Sequence, residues 1–112
     1  MKQDRLYLED IRAAIRKIES YTASGRDEFL RSSLLQDAVI RNFEIIGEAS
    51  KRLSEAAKDQ CPEVPWGKVA GFRDILIHRY SGVDVKEVWN IIETHLPALQ
   101  NAVMRLLESA SS

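Results

Sequence analysis

The sequence predicts an all-α fold, an up-down bundle of about four to five helices. Its apolar residues recur at alternating steps of three and four, and no segment alternates at period two for long enough to make a strand. At 112 residues the chain has room for one domain with a real core and not for two. With 45% hydrophobic and 29% charged residues it needs no covalent staples to fold.

In the first helix Leu8, Ile11, Ile15 and Ile18 make one stripe, and Ser24-Gly25 supplies the break after it. A short turn or helix follows around Asp27 to Leu30. The second long helix is expected to start at Ser33, since Ser33 with Gln36 fits a capping box. It should run to about Lys58 along Leu35, Val39, Ile46 and Leu53, with Asn42 on the same stripe. Pro62 and Pro65 then interrupt the chain, because proline lacks the N–H that a helix interior requires, although Pro65 can open the next helix at its first turn. That third helix should reach about Arg79. Ser81-Gly82-Val83 is the next turn, and Asp84 with Glu87 forms a second capping box. The last stripe, Val85, Trp89, Ile92, Leu96, Leu99, Val103 and Leu106, keeps its rhythm through Pro97. It therefore predicts one bent helix or two abutting ones, because Pro97 cannot donate to the carbonyl of Glu93. The helical domain is expected to span residues 1–108 and residues 109–112 to fray.

Several function classes drop out on composition. The single cysteine, Cys61, has no partner for a disulfide and cannot build a cysteine-ligated metal site. The N-terminal Met1-Lys2-Gln3-Asp4-Arg5 is charged where a signal peptide is apolar, and no apolar run approaches the ~18 residues of a membrane span, so a cytoplasmic protein is expected. With 16 basic and 17 acidic residues the net charge is −1, so any contact with nucleic acid must run through a local patch.

The chemically distinctive segment is Gly71-Phe72-Arg73-Asp74-Ile75-Leu76-Ile77-His78-Arg79-Tyr80. Val69, Phe72 and Leu76 form the core stripe of this helix, while Asp74 lies one turn below His78. Cutting RNA without a metal needs a group of near-neutral pKa to take the 2′-hydroxyl proton, and histidine, at about 6.5 unperturbed, is the natural one. It also needs a fixed positive charge where negative charge builds on phosphorus, which arginine supplies. Arg73 and His78 are of those types, and the spacing of Asp74 fits holding the imidazole and fits a surface pair with no catalytic role equally well. A plainer reading is that His78 and Arg79 only complement the dipole at a helix C-terminus. Five residues turn through about 500°, which leaves Arg73 and His78 about 140° apart on an ideal helix. Either the helix loosens before His78, or a second copy of the chain completes the site. His95, just before the Pro97 bend, reads as a surface or packing residue.

The spacing arginine, four residues, histidine, one residue, tyrosine in an all-helical setting resembles the HEPN superfamily, specifically the HepT-like toxins. The segments Arg41-Asn42-Phe43-Glu44-Ile45-Ile46-Gly47-Glu48-Ala49, Pro65-Trp66 followed by Gly71-Phe72-Arg73-Asp74, and Tyr80-Ser81-Gly82-Val83-Asp84 resemble successive parts of that family, so the likeness covers roughly residues 4–108. The resemblance implies a metal-independent endoribonuclease that needs no cofactor and works as a homodimer with its cleft at the two-fold interface. It makes His78 the general acid-base and Arg73 the phosphate and transition-state group, and an aspartate at position 74 is consistent with it; Asn42 is a supporting candidate on its inward place on the second long helix. It further implies a small nucleotidyltransferase antitoxin able to transfer adenylate to Tyr80, which would put bulk and negative charge into a cleft meant for RNA phosphate. For Asn42, a hydrogen bond to a neighbouring helix outweighs a part in the chemistry. Two other classes compete: a non-catalytic helical module that binds a nucleotidyltransferase partner, and, ranked low, a histidine phosphotransfer module.

Overall fold

A computed structural model describes residues 2–78 and 84–111 of the chain, and the side chains of residues 3–72 and 84–109. Among these residues there are helices and no strands, in the order α1 (Lys2–Tyr21), α2 (Arg26–Arg31), α3 (Ser33–Arg52), α4 (Glu55–Asp59), α5 (Trp66–His78), α6 (Val85–Thr94) and α7 (Leu96–Ser111). No described helix is long and apolar enough to cross a membrane. The all-α expectation holds: α1, α3, α5 and the α6–α7 pair are the long struts, and α2 and α4 are single-turn connectors.

The predicted stripe of α1 is the floor of the core, with Leu8, Ile11, Ile15 and Ile18 all buried. Packing on this face, more than intrinsic propensity, holds such a helix. Thr22 closes α1 by donating its hydroxyl to the Ile18 carbonyl at 2.8 Å, and Gly25 turns the chain at φ 96°, a left-handed value that glycine adopts without cost. On α2, Phe29 is fully buried and meets the ring of Trp89 at 5.5 Å.

The start of α3 differs by one residue from the predicted capping box. Ser32, not Ser33, is the cap, its Oγ accepting from the Leu35 N–H at 3.1 Å. Gln36 is drawn away from any capping role because its Nε2 donates to the carbonyls of Phe29 and Leu30, tying α3 back to the end of α2. The end of α3 is also earlier than expected, at Arg52 and not near Lys58. Leu53 is extended, at ψ 145°, and Ser54 starts the separate helix α4 by accepting from Ala57 N–H at 3.1 Å. The cause is tertiary. The buried carboxylate of Asp4 accepts from the backbone N–H of Ser54 at 2.9 Å and from its hydroxyl at 2.6 Å, so this N–H is unavailable to a continuing helix.

Pro65 stands at the cap position of α5, its carbonyl accepting from the Val69 N–H at 3.0 Å. Asp84 caps α6 as predicted, though its carboxylate takes the N–H of Lys86 at 2.9 Å where the box called for that of Glu87. The final stripe resolves into two abutting helices that meet at His95, whose carbonyl accepts from Leu99 N–H at 3.2 Å. Pro97 falls in the first turn of α7, where its missing N–H leaves nothing unsatisfied. Regular helix in α7 extends to Ser111, beyond the end expected at residue 108.

In the assembled fold α3 is the central strut. It packs on α1 along one flank and on α5 along the other, while α7 covers the far flank of α1. The core between them takes in most of the predicted stripe residues together with others such as Phe29, Phe43, Cys61, Val64, Trp66 and Val88, while Leu35, Val69, Phe72, Val85 and Trp89 pack against it half-buried and Leu76 lies outside the described side chains.

Candidate active-site helix

The candidate residues Arg73, Asp74 and His78 all lie on α5. Their side chains, and Tyr80 entirely, fall outside the described residues.

Two aromatic anchors fix this helix. Trp66, buried in its first turn, donates its indole N–H to the Cys61 carbonyl at 3.1 Å, pinning the helix to the turn that precedes it. The turn is itself tied to α7 by the ion pair of Glu63 with Arg105. Six residues along, Phe72 meets Phe43 of α3 edge to face, with ring centroids 5.4 Å apart and planes at 73°. With Val69 between them, these anchors define the side of α5 that faces the bundle.

The opposite arc is open. Gly67 and Gly71 lie there, one turn apart, and a Cβ added to either would meet no atom of the described residues within 4 Å. Asp74 and His78 continue the same arc in helical register, at steps of three and four. The backbone of α5 is unbroken helix through His78. The first of the two geometric options, a helix that loosens ahead of His78, is thus not the one the backbone takes, and the register leaves Arg73 about 140° round from His78. Arg73 follows Phe72 directly in the helix, so the edge contact of Phe72 with Phe43 bears on the backbone rotation of α5 at position 73.

Asn42 is buried on α3, at 5% exposure. Its Nδ2 donates to the Ala38 carbonyl at 2.8 Å on its own helix, where a bond to a neighbouring helix was expected, and its Oδ1 is buried with no hydrogen-bond partner among the described residues. It sits about 100° round α3 from the adjacent Phe43, the residue that touches α5. His95 is exposed at the α6–α7 junction, as expected of a surface residue. Among the described residues no three histidine, cysteine or carboxylate side chains gather where they could hold a metal ion. The anchors of α5 were the part sequence reading passed over: Phe43 and Trp66 stood inside recognised segments, but nothing in the sequence says that these two hold the motif helix.

Comparison with known proteins adds an independent line. The family model described as Ribonuclease HepT-like matches residues 11–106. A probable ribonuclease HepT of Thermococcus cleftensis is 45% identical over 101 residues, which cover 89% of this chain and 92% of that protein. A Caldanaerobacter subterraneus subsp. tengcongensis protein, named as a candidate RNase, is 37% identical over 109 residues, 96% of this chain and 97% of the relative. A Methanocaldococcus jannaschii protein, named as a gamma-glutamylcyclotransferase and candidate RNase, is 40% identical over 110 residues; these are 96% of this chain but 50% of that protein, so the chain spans about half its length. No solved structure matches.

Proposed function

The chain belongs to the HepT-like ribonuclease family, and from that premise we propose that it is a metal-independent endoribonuclease, the toxin of a toxin-antitoxin pair, whose working site is shared between two copies. His78 takes the proton from a ribose 2′-hydroxyl, the freed oxygen attacks the adjacent phosphorus, and as the bond from phosphorus to the 5′-oxygen breaks the imidazolium of His78 returns the proton to that departing oxygen. The products are a 2′,3′-cyclic phosphate and a 5′-hydroxyl. Arg73 lies against the phosphate oxygens as negative charge gathers on them, and Asp74, one turn before His78, orients the imidazole. Asn42 supports the fold beneath the site from within α3. Tyr80 is the point of control: a nucleotidyltransferase antitoxin places adenylate on its phenolic oxygen and closes the cleft to RNA.

One observation carries this reading. The family match over residues 11–106 encloses an arginine and a histidine at the motif spacing on a single unbroken helix, with the arc that bears His78 open along its first half. Because that helix holds the two residues about 140° apart, a shared phosphodiester is reached most simply when two copies face one another about a two-fold axis.

The test is RNA cutting by the purified chain in excess chelator. Cyclic-phosphate ends are expected, with losses of about 10²- to 10⁴-fold in His78→Ala and Arg73→Ala while helicity persists. Undiminished cutting in both variants would end the proposal. No cutting at all, beside firm binding of a nucleotidyltransferase, would favour the non-catalytic interaction module.

A further inference from the structure

The outer face formed by α1 and α3, on the side of α3 away from α5, is built unlike a plain solvated surface. A groove between the two helices is lined by Tyr7 and Asp10 of α1 and by Arg41, Ile45, Glu48 and Arg52 of α3. Helical register sets two of the most exposed aliphatic side chains of the described residues on this face: Leu6, beside Tyr7, at 66% exposure, and Leu34, two to three turns before Arg41 and Ile45, at 77%. Single exposed leucines are ordinary; here one stands towards each end of the face, on either side of a half-buried isoleucine, so the patch is mixed in character rather than continuously apolar.

The charges of that patch have a pattern. Along α3 they read Arg41, Glu44, Glu48, Arg52, with Ile45 near the middle. Arg41 pairs with Glu44 at 3.6 Å, and Arg52 with Glu48 at 3.0 Å. Arg52 is held above the ordinary arginine value by its hydrogen bond to Glu48 and then by Tyr7. Exposed pairs of this kind contribute little to stability, so exchanging one partner for another is cheap. A lane of mixed sign repels a polyanion as much as it attracts one, which argues against RNA as the occupant.

We propose that the α1–α3 face is a two-fold contact between copies of this chain, with the axis passing beside Ile45. Two antiparallel α3 helices crossing there set residue 41 of one copy opposite residues 48 and 49 of the other. Arg41 then meets Glu48 of the second copy, and Glu48 meets its Arg41, so the lane is complementary to itself and needs no other partner. Ala38, a small half-buried residue two turns before Ile45, lets the helices approach. Leu34 stands about 16 Å along α3 from Ile45, within about one turn of the level of the other copy's Leu6, because Asp4 fastens the start of α1 beside Ser54. The two exposed leucines thereby cover one another. This contact leaves α5 free on the opposite flank, so it is independent of the cleft described above and adds a second association to it.

The experiment is the mass of the purified full chain by light scattering and sedimentation for the wild type, Arg41→Glu, Glu48→Arg and the double variant, with circular dichroism and RNA cutting measured alongside. Each single reversal is expected to halve the mass at unchanged helicity, and the double variant to restore it, because the two-fold pairs position 41 with position 48. A wild type that is monomeric, single variants that keep the wild-type mass, or a double variant that stays halved would each overturn the proposal. The reading of the nuclease site is separately exposed: its failure appears as a wild type that cuts no RNA, whatever the masses show.

Discussion

Asp4 and Ser54, fifty positions apart, are joined by two hydrogen bonds that decide where α3 ends. The carboxylate of Asp4 holds both the N–H and the hydroxyl of Ser54, while the same hydroxyl oxygen caps α4. Asp4→Ala removes the acceptor from a part-buried N–H and hydroxyl and should cost about 1–3 kcal/mol. Thermal unfolding is the measurement, with a melting temperature lowered by several degrees as the expected outcome; a change within error would mean that water serves Ser54 equally well. Asp4→Asn, which keeps one acceptor oxygen, should fall between the two.

The ring pair Phe43–Phe72 offers a sharper test, because it separates the hold on α5 from the fold at large. Phe43→Leu keeps most of the buried apolar volume but loses the edge-to-face contact, worth about 0.5–1.5 kcal/mol beyond area. The expected result is a modest loss of stability together with a larger loss of RNA cutting, read as a lower kcat at little-changed KM, since Arg73 departs from the residue that Phe43 steadies. A variant as active as wild type would show that the rotation of α5 is fixed elsewhere.

The sequence made the helices legible and left their seams obscure, for a physical reason. Period carries the stripes, so Leu8, Ile11, Ile15 and Ile18 could be named as core from spacing alone, and the α6–α7 junction followed from Pro97 having no N–H. The seams depend on who takes an N–H across the fold. Ser33 looked like a cap until Gln36 was found spent on the carbonyls of α2, and a helix running to Lys58 looked continuous because the carboxylate that ends it lies fifty positions upstream. The motif was legible as residue types and spacing, and the two anchors of its helix were not. Phe43 and Trp66 entered only as members of family-like segments, and their particular partners exist only in three dimensions.

Tyr80 leads to a prediction that tells control from catalysis. Adenylyl transfer joins the phenolic oxygen to the α-phosphorus of a nucleoside triphosphate and releases pyrophosphate. Tyr80→Phe removes that oxygen alone, so the variant should cut RNA about as well as wild type and stay active after incubation with a nucleotidyltransferase antitoxin and ATP, where the wild type is silenced. Mass spectrometry should find one added adenylate in the wild type and none in the variant. Silencing of Tyr80→Phe under the same conditions would move the control to another residue, or to binding without modification.

The last prediction concerns which copy supplies which group. If Arg73 and His78 serve one phosphodiester from the same chain, mixing Arg73→Ala with His78→Ala yields only defective sites and the mixture stays inactive. If the two groups come from facing copies, half of the randomly reassorted dimers are mixed. Each mixed dimer then holds one site with both wild-type residues and one with neither, so cutting should return to about a quarter of the wild-type rate. The unbroken helix through His78, with the two positions about 140° apart, favours the second outcome. Mixing must follow dissociation and reassembly, with reassortment checked by a tag on one variant. A mixture that reassorts fully and still fails to cut would place both groups in one chain, and would require the side chains of Arg73 and His78 to reach round α5 toward each other.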